Sequence, residues 1–175
     1  MTRHALVTAL LAIVFAASAT AAQHEPRVVQ EIRRVLEELP TYGVFDWITF
    51  EHDRGQVTLG GFARDPSLKG AAADAVRRVE GVEQVTNRIE TLSNAASDET
   101  LRQEIHRAIY HDSPLSRYGR ADGTAAIHIV VNRGNVMLAG VVERTDDKRL
   151  AELKTRSVFG VRKLENAVGV SGETP

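Results

Sequence analysis

The chain has 175 residues, with 22 Lys and Arg against 23 Asp and Glu, and a formal net charge of −1 at pH 7. A charge this close to neutral argues against a nucleic-acid partner, which requires a strongly basic surface. The absence of cysteine excludes disulfides, thiolate metal sites, a cysteine nucleophile and lipidation at an N-terminal cysteine. The fold must therefore be held together by hydrophobic cores.

Residues 1–22 have the pattern of a secretory signal peptide. Arg3 and His4 form a short charged segment, an apolar run follows over 5–17, and small residues then offer A-x-A cleavage sites up to Ala22. The apolar run is too short to cross a hydrocarbon layer of ~30 Å comfortably. We therefore expect cleavage near Ala22 and export to the periplasm. The alternative is an uncleaved N-terminal anchor.

After this leader, the sequence predicts a helix and then two strands joined by a tight turn. Apolar residues at helical spacing predict the helix over 28–39, and Pro40 ends it. The stretch 46–52 (DWITFEH) alternates apolar and polar side chains, as a strand with one exposed face does. The triplet 53–55 (DRG) then suits a short hairpin loop in which the glycine takes a positive φ.

A second helix and a third strand complete this unit. Pro66 is expected to open the helix, and Gly81 is expected to end it as a left-handed C′ residue. The strand follows over 82–92, and in the linker over 93–100 Asp98 is a candidate cap for the next helix. Because the crossover through the second helix makes the last two strands parallel, the sheet is predicted to be mixed.

The same pattern is then repeated. A shift of 79 residues aligns 55–91 with 134–170 without a gap, and 11 of the 37 positions are identical, where ordinary residue usage gives roughly two. The segments 30–34 (QEIRR) and 103–107 (QEIHR) match at an offset of 73, so the second copy carries six extra residues. We expect the repeated glycines and asparagines to serve the backbone; they are Gly55, Gly61, Gly81, Asn87, Gly134, Gly140, Gly160 and Asn166.

The repeat predicts two tandem domains, at 23–96 and 97–171, of the α+β class. Each is expected to follow the order αββαβ, with a three-stranded mixed sheet covered on one face by two helices. The two copies are expected to pack on each other or to lie close together. Trp47, the sole tryptophan, is predicted either to pack in a core or between the domains, or to contact a ligand.

The sequence contains no catalytic constellation. Its six histidines lack metal-ligand spacing, its serines lack a G-x-S-x-G context, and no Gly-rich phosphate loop opens a helix. We therefore expect no catalytic residue, no metal and no cofactor. A hydrolase would require a pocket in which at least two titratable groups with strongly perturbed pKa values converge.

Charge separates the two copies. Residues 148–163 (KRLAELKTRSVFGVRK) have a net charge of +5, whereas the matching residues 69–84 have a net charge of zero. An anionic surface is the natural partner of such a run, and the alternative is a solvated helix face. The candidate binding residues of this run are Lys148, Arg149, Lys154, Arg156, Arg162 and Lys163.

The apolar pattern of the second helix also changes between the copies. Leu153 stands where the first copy has Asp74, and the pair 154–155 (KT) replaces the pair 75–76 (AV). This helix is therefore predicted to turn its apolar stripe or to bury less. After it, Glu80, Glu83 and Gln84 of the first copy become Phe159, Arg162 and Lys163, and we expect function at such differences.

The repeated motifs resemble the BON domain of bacterial envelope proteins. The pattern G-x-V-x-L-x-G, a helix, and G-V-x-x-V-x-N stands here as GQVTLGG…VEGVEQVTNRI and GNVMLAG…VFGVRKLENAV, with Leu164 in the place of Val85. The resemblance covers nearly all of the chain after the leader. It implies an αββαβ fold without catalytic activity, phospholipid binding, and support of the envelope under osmotic or other stress.

This resemblance makes anionic phospholipid headgroups the favoured ligand of the basic run, reached by peripheral contact with a membrane. The alternative is a protein–protein interaction or assembly module of the bacterial envelope, which would use sheet edges or helix faces.

Overall fold

A computed structural model describes residues 27–111, 113–119 and 125–172, so the predicted leader lies outside the described residues. The first unit consists of α1 (27–37), β1 (Trp47–Asp53), β2 (Gln56–Ala63), α2 (Pro66–Val76), β3 (Gln84–Asn87) and β4 (Glu90–Thr91). The second consists of α3 (Ala96–Tyr110), a 3₁₀ helix (Pro114–Tyr118), β5 (Ile127–Asn132), β6 (Asn135–Val142), α4 (Thr145–Arg156), β7 (Lys163–Asn166) and β8 (Gly169–Val170).

Each unit contains one mixed sheet of three strand paths. In the first unit β1 pairs antiparallel with β2, while β3 and β4 both pair parallel with β2. The register is the same on both sides of the break, with Gln56 opposite Gln84 and Phe62 opposite Glu90, so β3 and β4 are one interrupted strand. The second unit repeats this arrangement with β5 to β8. The predicted α+β class and the αββαβ order are confirmed.

A close approach between two backbones explains why both domains have glycine at the position of Gly61 and Gly140. Gly61 has φ +95° and Gly140 has φ +114°, in the middle of β2 and β6. A Cβ atom at either position would lie 2.0 Å from a carbonyl oxygen of the neighbouring strand, that of Trp47 or Ala126. Only glycine permits both this dihedral angle and this distance.

The repeated asparagines join the interrupted strand to the second helix. Asn87 donates from Nδ2 to the carbonyl oxygen of Lys69 at 2.6 Å and accepts at Oδ1 from the backbone N–H of Ile89 at 3.1 Å. Asn166 makes the equivalent bond to the carbonyl oxygen of Lys148 at 3.1 Å. One side chain thus ties a backbone N–H at the break in the strand to a backbone carbonyl of the helix.

Both hairpins turn through two residues in the left-handed region. Arg54 has φ 45° and Gly55 has φ 81°, and Arg133 and Gly134 have φ 53° and 76°. Positive φ at both central residues is the signature of a type I′ turn. The predicted positive φ of the glycine is therefore found, and an arginine shares it.

The second helix of the first unit ends earlier than the sequence predicted. Gly81 has φ +90°, but α2 stops at Val76, with Arg77 as its C-cap. The backbone N–H groups of Arg78 and Val79 then bond three residues back, which tightens the chain into a turn. Gly81 therefore belongs to the turn that enters β3, and the prediction that it is the C′ residue of the helix was wrong.

Two hydrophobic cores hold the two units. In the first, α1 and α2 bury their apolar faces on the same side of the sheet around Val57 and Leu59. In the second, α3 and α4 do so around Ile129 and Leu138. As predicted, α4 buries less than α2: its buried residues are Asp147, Ala151 and Thr155, whereas those of α2 are Leu68, Ala72, Ala73, Ala75 and Val76.

The two domains are packed together through β5. Just before β1, the carbonyl oxygen of Val44 accepts a hydrogen bond from the backbone N–H of Ile129 at 2.8 Å, and the side chains of Val44 and Phe45 pack against the second core. The strand is also covered on its other face, because Val130 is only 3% exposed without belonging to either core. β5 is therefore buried on both faces, which explains its continuous apolar run.

Asp46 fixes the segment that pairs with β5. Its carboxylate is 4% exposed and accepts from the backbone N–H groups of Gly43 at 2.9 Å and Arg64 at 2.6 Å. Arg64 in turn forms an ion pair with Glu99 of α3 at 3.1 Å. A second arginine, Arg102, is buried behind Glu99 and donates to two backbone carbonyl oxygens at 2.7 Å.

We predict that Gly61→Ala and Gly140→Ala each destabilise the protein strongly. The Cβ atom would collide with a backbone carbonyl that cannot move without breaking the hairpin, and strained backbone alone costs ~1–3 kcal/mol. Chemical denaturation should show a loss of at least about 3 kcal/mol once the collision is added.

The matched control is Gly70→Ala, because Gly70 lies in α2 and a Cβ there meets nothing within 4 Å. It should stabilise the protein by about 0.5–1 kcal/mol through helix propensity. Wild-type stability of Gly61→Ala would contradict the close-approach explanation.

Candidate functional site

The solvent-facing side of α4 carries cationic and apolar residues together. Arg149, Leu153 and Arg156 are spaced four and three residues apart, which places them on one side of a helix. All three are exposed, and Leu153 is 66% exposed although it is apolar. Asp147, Ala151 and Thr155 occupy the buried side of α4.

The turn after α4 carries two more exposed residues. Phe159 is 100% exposed, and Arg162 follows immediately before β7. The aliphatic stem of Arg162 packs over the β5–β6 hairpin, since a Cβ atom on Gly134 would lie 2.9 Å from its Cδ. The backbone N–H of Arg162 also donates to the carbonyl oxygen of Gly134 at 2.9 Å. We name Arg149, Leu153, Arg156, Phe159 and Arg162 the α4 surface.

Arg133 joins this end of the domain from the hairpin. With Phe159 and Arg162 it lines a shallow groove of about 590 Å³ that runs past the start of α3. Glu104 lies in the same groove, but it is paired with Arg107 at 2.7 Å. The exposed charge left at this end is therefore positive.

Asp98 lies beneath the groove and holds the hairpin in place. The sequence suggested it as the cap of α3, but the N-cap position is Ala95, which makes no side-chain bond. The Asp98 carboxylate instead accepts from the backbone N–H groups of Arg133 at 2.7 Å and Gly134 at 2.9 Å. Burial alone would raise the pKa of Asp98, but these two hydrogen bonds favour the charged form and keep the pKa below its ordinary value.

The six basic residues predicted from the sequence do not form one surface. Lys148 and Arg149 lie in the first half of α4, about 10 Å along the helix axis from Arg156. Arg162 and Lys163 are adjacent in sequence, but Lys163 begins β7 and points to the sheet face away from the helices. There it lines a depression with Phe62 of the first domain.

The remaining members of the predicted set differ in ion pairing and in exposure. Arg156 is exposed and forms an ion pair with Glu152 at 2.8 Å. Lys148 and Lys154 are both half-buried. Within residues 27–111, 113–119 and 125–172, Arg149 and Arg162 form no salt bridge within 4 Å. The structure thus exposes Arg149 and Arg156 on the outer side of α4 and Arg162 in the turn after it, and it separates Lys163 from them.

Sequence reasoning missed Arg133, because Arg54 occupies the matching hairpin position of the first copy and the residue does not stand out. Leu153 and Phe159 were visible only as differences between the copies. Leu153 is exposed because it lies on the side of α4 away from Ala151 and Thr155, and Phe159 is exposed in the turn after α4 ends at Arg156.

The matching surface of the first domain has the opposite character. At an offset of 79 the α4 surface corresponds to Gly70, Asp74, Arg77, Glu80 and Glu83. These five residues have a net charge of −2, whereas those of the α4 surface have a net charge of +3. The two surfaces stand on the same backbone, so the difference is not required by the fold.

A second concave site lies between the domains. It is a groove of about 580 Å³ between α1, β1 and the second sheet, with Trp47, Tyr42 and His128 among its lining residues. The His128 ring centroid lies 5.1 Å from that of Trp47 and 5.4 Å from that of Tyr42. Trp47 therefore packs between the domains, which was one of the two predicted roles.

Burial shifts the pKa values of two aromatic groups that line this groove. It raises the pKa of Tyr42 to about 12 and lowers the pKa of His128. Both shifts favour the uncharged form, and the planes of the two rings are tilted by 33° to each other. Packing between the domains therefore accounts for both shifts.

Two further findings concern the described part of the chain. No helix in it is long and apolar enough to cross a bilayer. The same residues contain no group of three or more His, Cys, Asp or Glu side chains arranged to hold a metal ion.

Comparison with family profiles matches the BON domain twice, to residues 29–93 and to residues 97–172. The chain belongs to the BON domain family. The predicted recognition of a tandem two-BON protein is thereby confirmed. BON domains are non-enzymatic binding domains associated with the bacterial envelope. Comparison with curated protein sequences found no match.

The chain is also similar to two solved structures of CdsD, a structural protein of the Type III secretion system of Chlamydia trachomatis. The first is 14% identical, with 82% of this chain and 92% of that chain covered and a TM-score of 0.31. The second, of the C-terminal domain, is 18% identical, with 81% and 96% covered and a TM-score of 0.28. Likeness at these scores carries no argument about this chain.

We predict that Asp98→Ala destabilises the second domain by about 2 kcal/mol, because hydrogen bonds to a charged group contribute ~1.5–3 kcal/mol. Since its folded pKa is lowered, the contribution of Asp98 is present above its unfolded pKa and is lost as the pH falls through the folded value. Denaturation at pH 7 and at pH 3 measures both effects.

The control for Asp98→Ala is Asp74→Ala, which removes an exposed ion pair with Arg77 and should change stability by less than about 0.5 kcal/mol. Equal effects of the two substitutions at pH 7 would contradict the role given to Asp98.

We also predict that acidification weakens the domain interface through His128. Its folded pKa is lowered by burial, so its contribution is present above the unfolded pKa and is lost as the pH falls below it. The melting temperature, followed by Trp47 fluorescence, should fall between pH 7.5 and 5.5.

The variant His128→Thr, which introduces the residue of the first copy (Thr49), should show a smaller fall. An unchanged pH dependence in His128→Thr would contradict this prediction.

Proposed function

We propose that this protein is a non-enzymatic binding protein of the bacterial envelope whose second BON domain contacts anionic phospholipid. The supporting observation is the contrast between the α4 surface and its counterpart in the first domain, +3 against −2 at five matching positions. Because the shared backbone does not require these cations, a ligand-binding role explains them better than folding does.

Exposed arginines suit this task. A guanidinium group donates to phosphate oxygens in a bidentate manner and is always charged. Each basic residue close to an anionic membrane contributes ~1 kcal/mol of attraction. Arg149 and Arg162, together with Arg156 beside its partner Glu152, therefore supply up to about 3 kcal/mol of attraction for reversible peripheral binding.

The predicted leader supports a location in the periplasm, where the protein would meet the phospholipid leaflets of the envelope. In this proposal it supports envelope integrity under osmotic or other stress, as the resemblance to the BON family implies. No substrate turnover, metal or cofactor enters this function.

The alternative is a protein–protein interaction or assembly module. The groove between the domains favours it, because Val141 at its margin is apolar and 54% exposed. This alternative predicts binding to a protein and no preference for anionic over zwitterionic vesicles.

We predict that the protein co-sediments with vesicles that contain phosphatidylglycerol and not with phosphatidylcholine vesicles. The triple substitution Arg149→Glu, Arg156→Glu and Arg162→Glu should weaken this binding at least about 100-fold, at ~1 kcal/mol for each residue. Binding should also decline as the salt concentration rises, because the Debye length shortens.

The matched control reverses three basic residues of the first domain, Lys69→Glu, Arg77→Glu and Arg78→Glu. It changes the net charge of the protein by the same amount but leaves the α4 surface intact. Equal losses in the two triple variants would show that overall charge, and not this surface, controls binding. Unchanged binding in the α4 variant would contradict the proposed site.

A further inference from the structure

The described part of the chain exposes three large hydrophobic side chains, and two of them, Leu153 and Phe159, belong to the α4 surface. Phe159 is 100% exposed at a turn, where an aromatic side chain gains nothing from the folded state. Its neighbour Val158 packs against the second core. In this turn the side chain of Val158 therefore packs inward, and the side chain of Phe159 is fully exposed to solvent.

The fold does not require an apolar residue at this position. Glu80 occupies it in the first domain, and the two turns share their backbone, since Gly81 and Gly160 have φ +90° and +100°. The same holds for Leu153, which corresponds to Asp74. Both apolar residues are therefore properties of the second domain's surface and not of the BON backbone.

Cations surround the exposed phenylalanine on both sides along the chain. Arg156 precedes it by three residues and Arg162 follows it by three, while Arg133 shares its groove. The two acids nearest to this groove are occupied, Asp98 by backbone N–H groups and Glu104 by Arg107. Charge complementarity therefore favours a negatively charged partner around an apolar centre.

We propose that the turn between α4 and β7 inserts Phe159 into the acyl region of an anionic bilayer, with Leu153 at the interface and the arginines at the phosphates. A bilayer fits because Phe159 protrudes and arginines flank it. The partner must therefore offer hydrocarbon to Phe159 and, directly above the hydrocarbon, a layer of anions to the arginines. Long arginine side chains reach back to the phosphates while their stems lie against hydrocarbon. This proposal rests on the proposed function and adds the depth and the orientation of the contact.

The insertion predicts two components of binding that respond differently to salt. The arginine component weakens as the Debye length shortens, whereas burial of Phe159 does not depend on screening. In vesicles that contain phosphatidylglycerol, Phe159→Ala should weaken binding at least about tenfold and should remove the part that resists high salt. Its thermal stability should equal that of the parent, because the side chain touches nothing in the fold.

The control for this substitution is Val141→Ala, which removes the third exposed hydrophobic side chain from the opposite sheet face and should leave vesicle binding unchanged. Parental binding by Phe159→Ala at high salt would overturn the insertion.

The depth is measured with Phe159→Trp in vesicles of phosphatidylglycerol and phosphatidylcholine brominated on the acyl chains. We expect a blue shift of the emission and quenching by the bromine atoms. The parent protein is the control, because its sole tryptophan packs against His128 between the domains and should not be quenched.

The vesicle experiments distinguish the insertion of Phe159 from the proposed phospholipid binding. A protein that binds the anionic vesicles while the emission of Phe159→Trp stays unshifted and unquenched overturns the insertion and leaves the proposed function standing. A parent protein that does not bind the vesicles at all overturns both.

Discussion

The arrangement of the two domains depends on the pairing of the chain before β1 with β5. Asp46 bends this segment by accepting two backbone N–H groups, and Val44 then bonds to Ile129 at the edge of the second sheet. This contact covers an edge that would otherwise be open to other chains, and Trp47 packs on His128 beside it. Because the first domain occupies the β5 edge and the helix-free sheet face, α4 remains on the uncovered side of the second domain.

The repeat shows which residues a BON backbone requires and which it leaves free. Gly61 and Gly140 are fixed by a carbonyl oxygen that would lie 2.0 Å from a Cβ atom, and Asn87 and Asn166 are fixed by their hydrogen bonds to a backbone carbonyl of the second helix. The outer positions of the second helix carry no such constraint, so they have diverged in charge and polarity. A duplicated domain can in this way keep its fold while the surface of one copy changes in charge and polarity.

The α4 surface is consistent with the lower burial of its helix. Thr155 replaces Val76, and its hydroxyl bonds to the carbonyl oxygen of Ala151 at 2.8 Å, so the buried side contributes less apolar area. Leu153 and Phe159 remain in water, where they contribute nothing to the stability of the monomer. Exposed apolar residues among cations are typical of surfaces that rest on a membrane interface.

The sequence by itself determined the two αββαβ units, because the helical and strand periodicities and the repeated glycines depend on local backbone geometry. It also proposed Arg149, Arg156 and Arg162 as candidate binding residues, but it could not separate them from Lys163. The tertiary structure decided that separation, because Arg162 lies in a turn and Lys163 begins a strand whose side chains alternate between faces. It alone decided the domain interface and the place of Arg133 and Asp98, since Val44 and Ile129, like Asp98 and Gly134, are far apart in sequence and no local pattern predicts their contact.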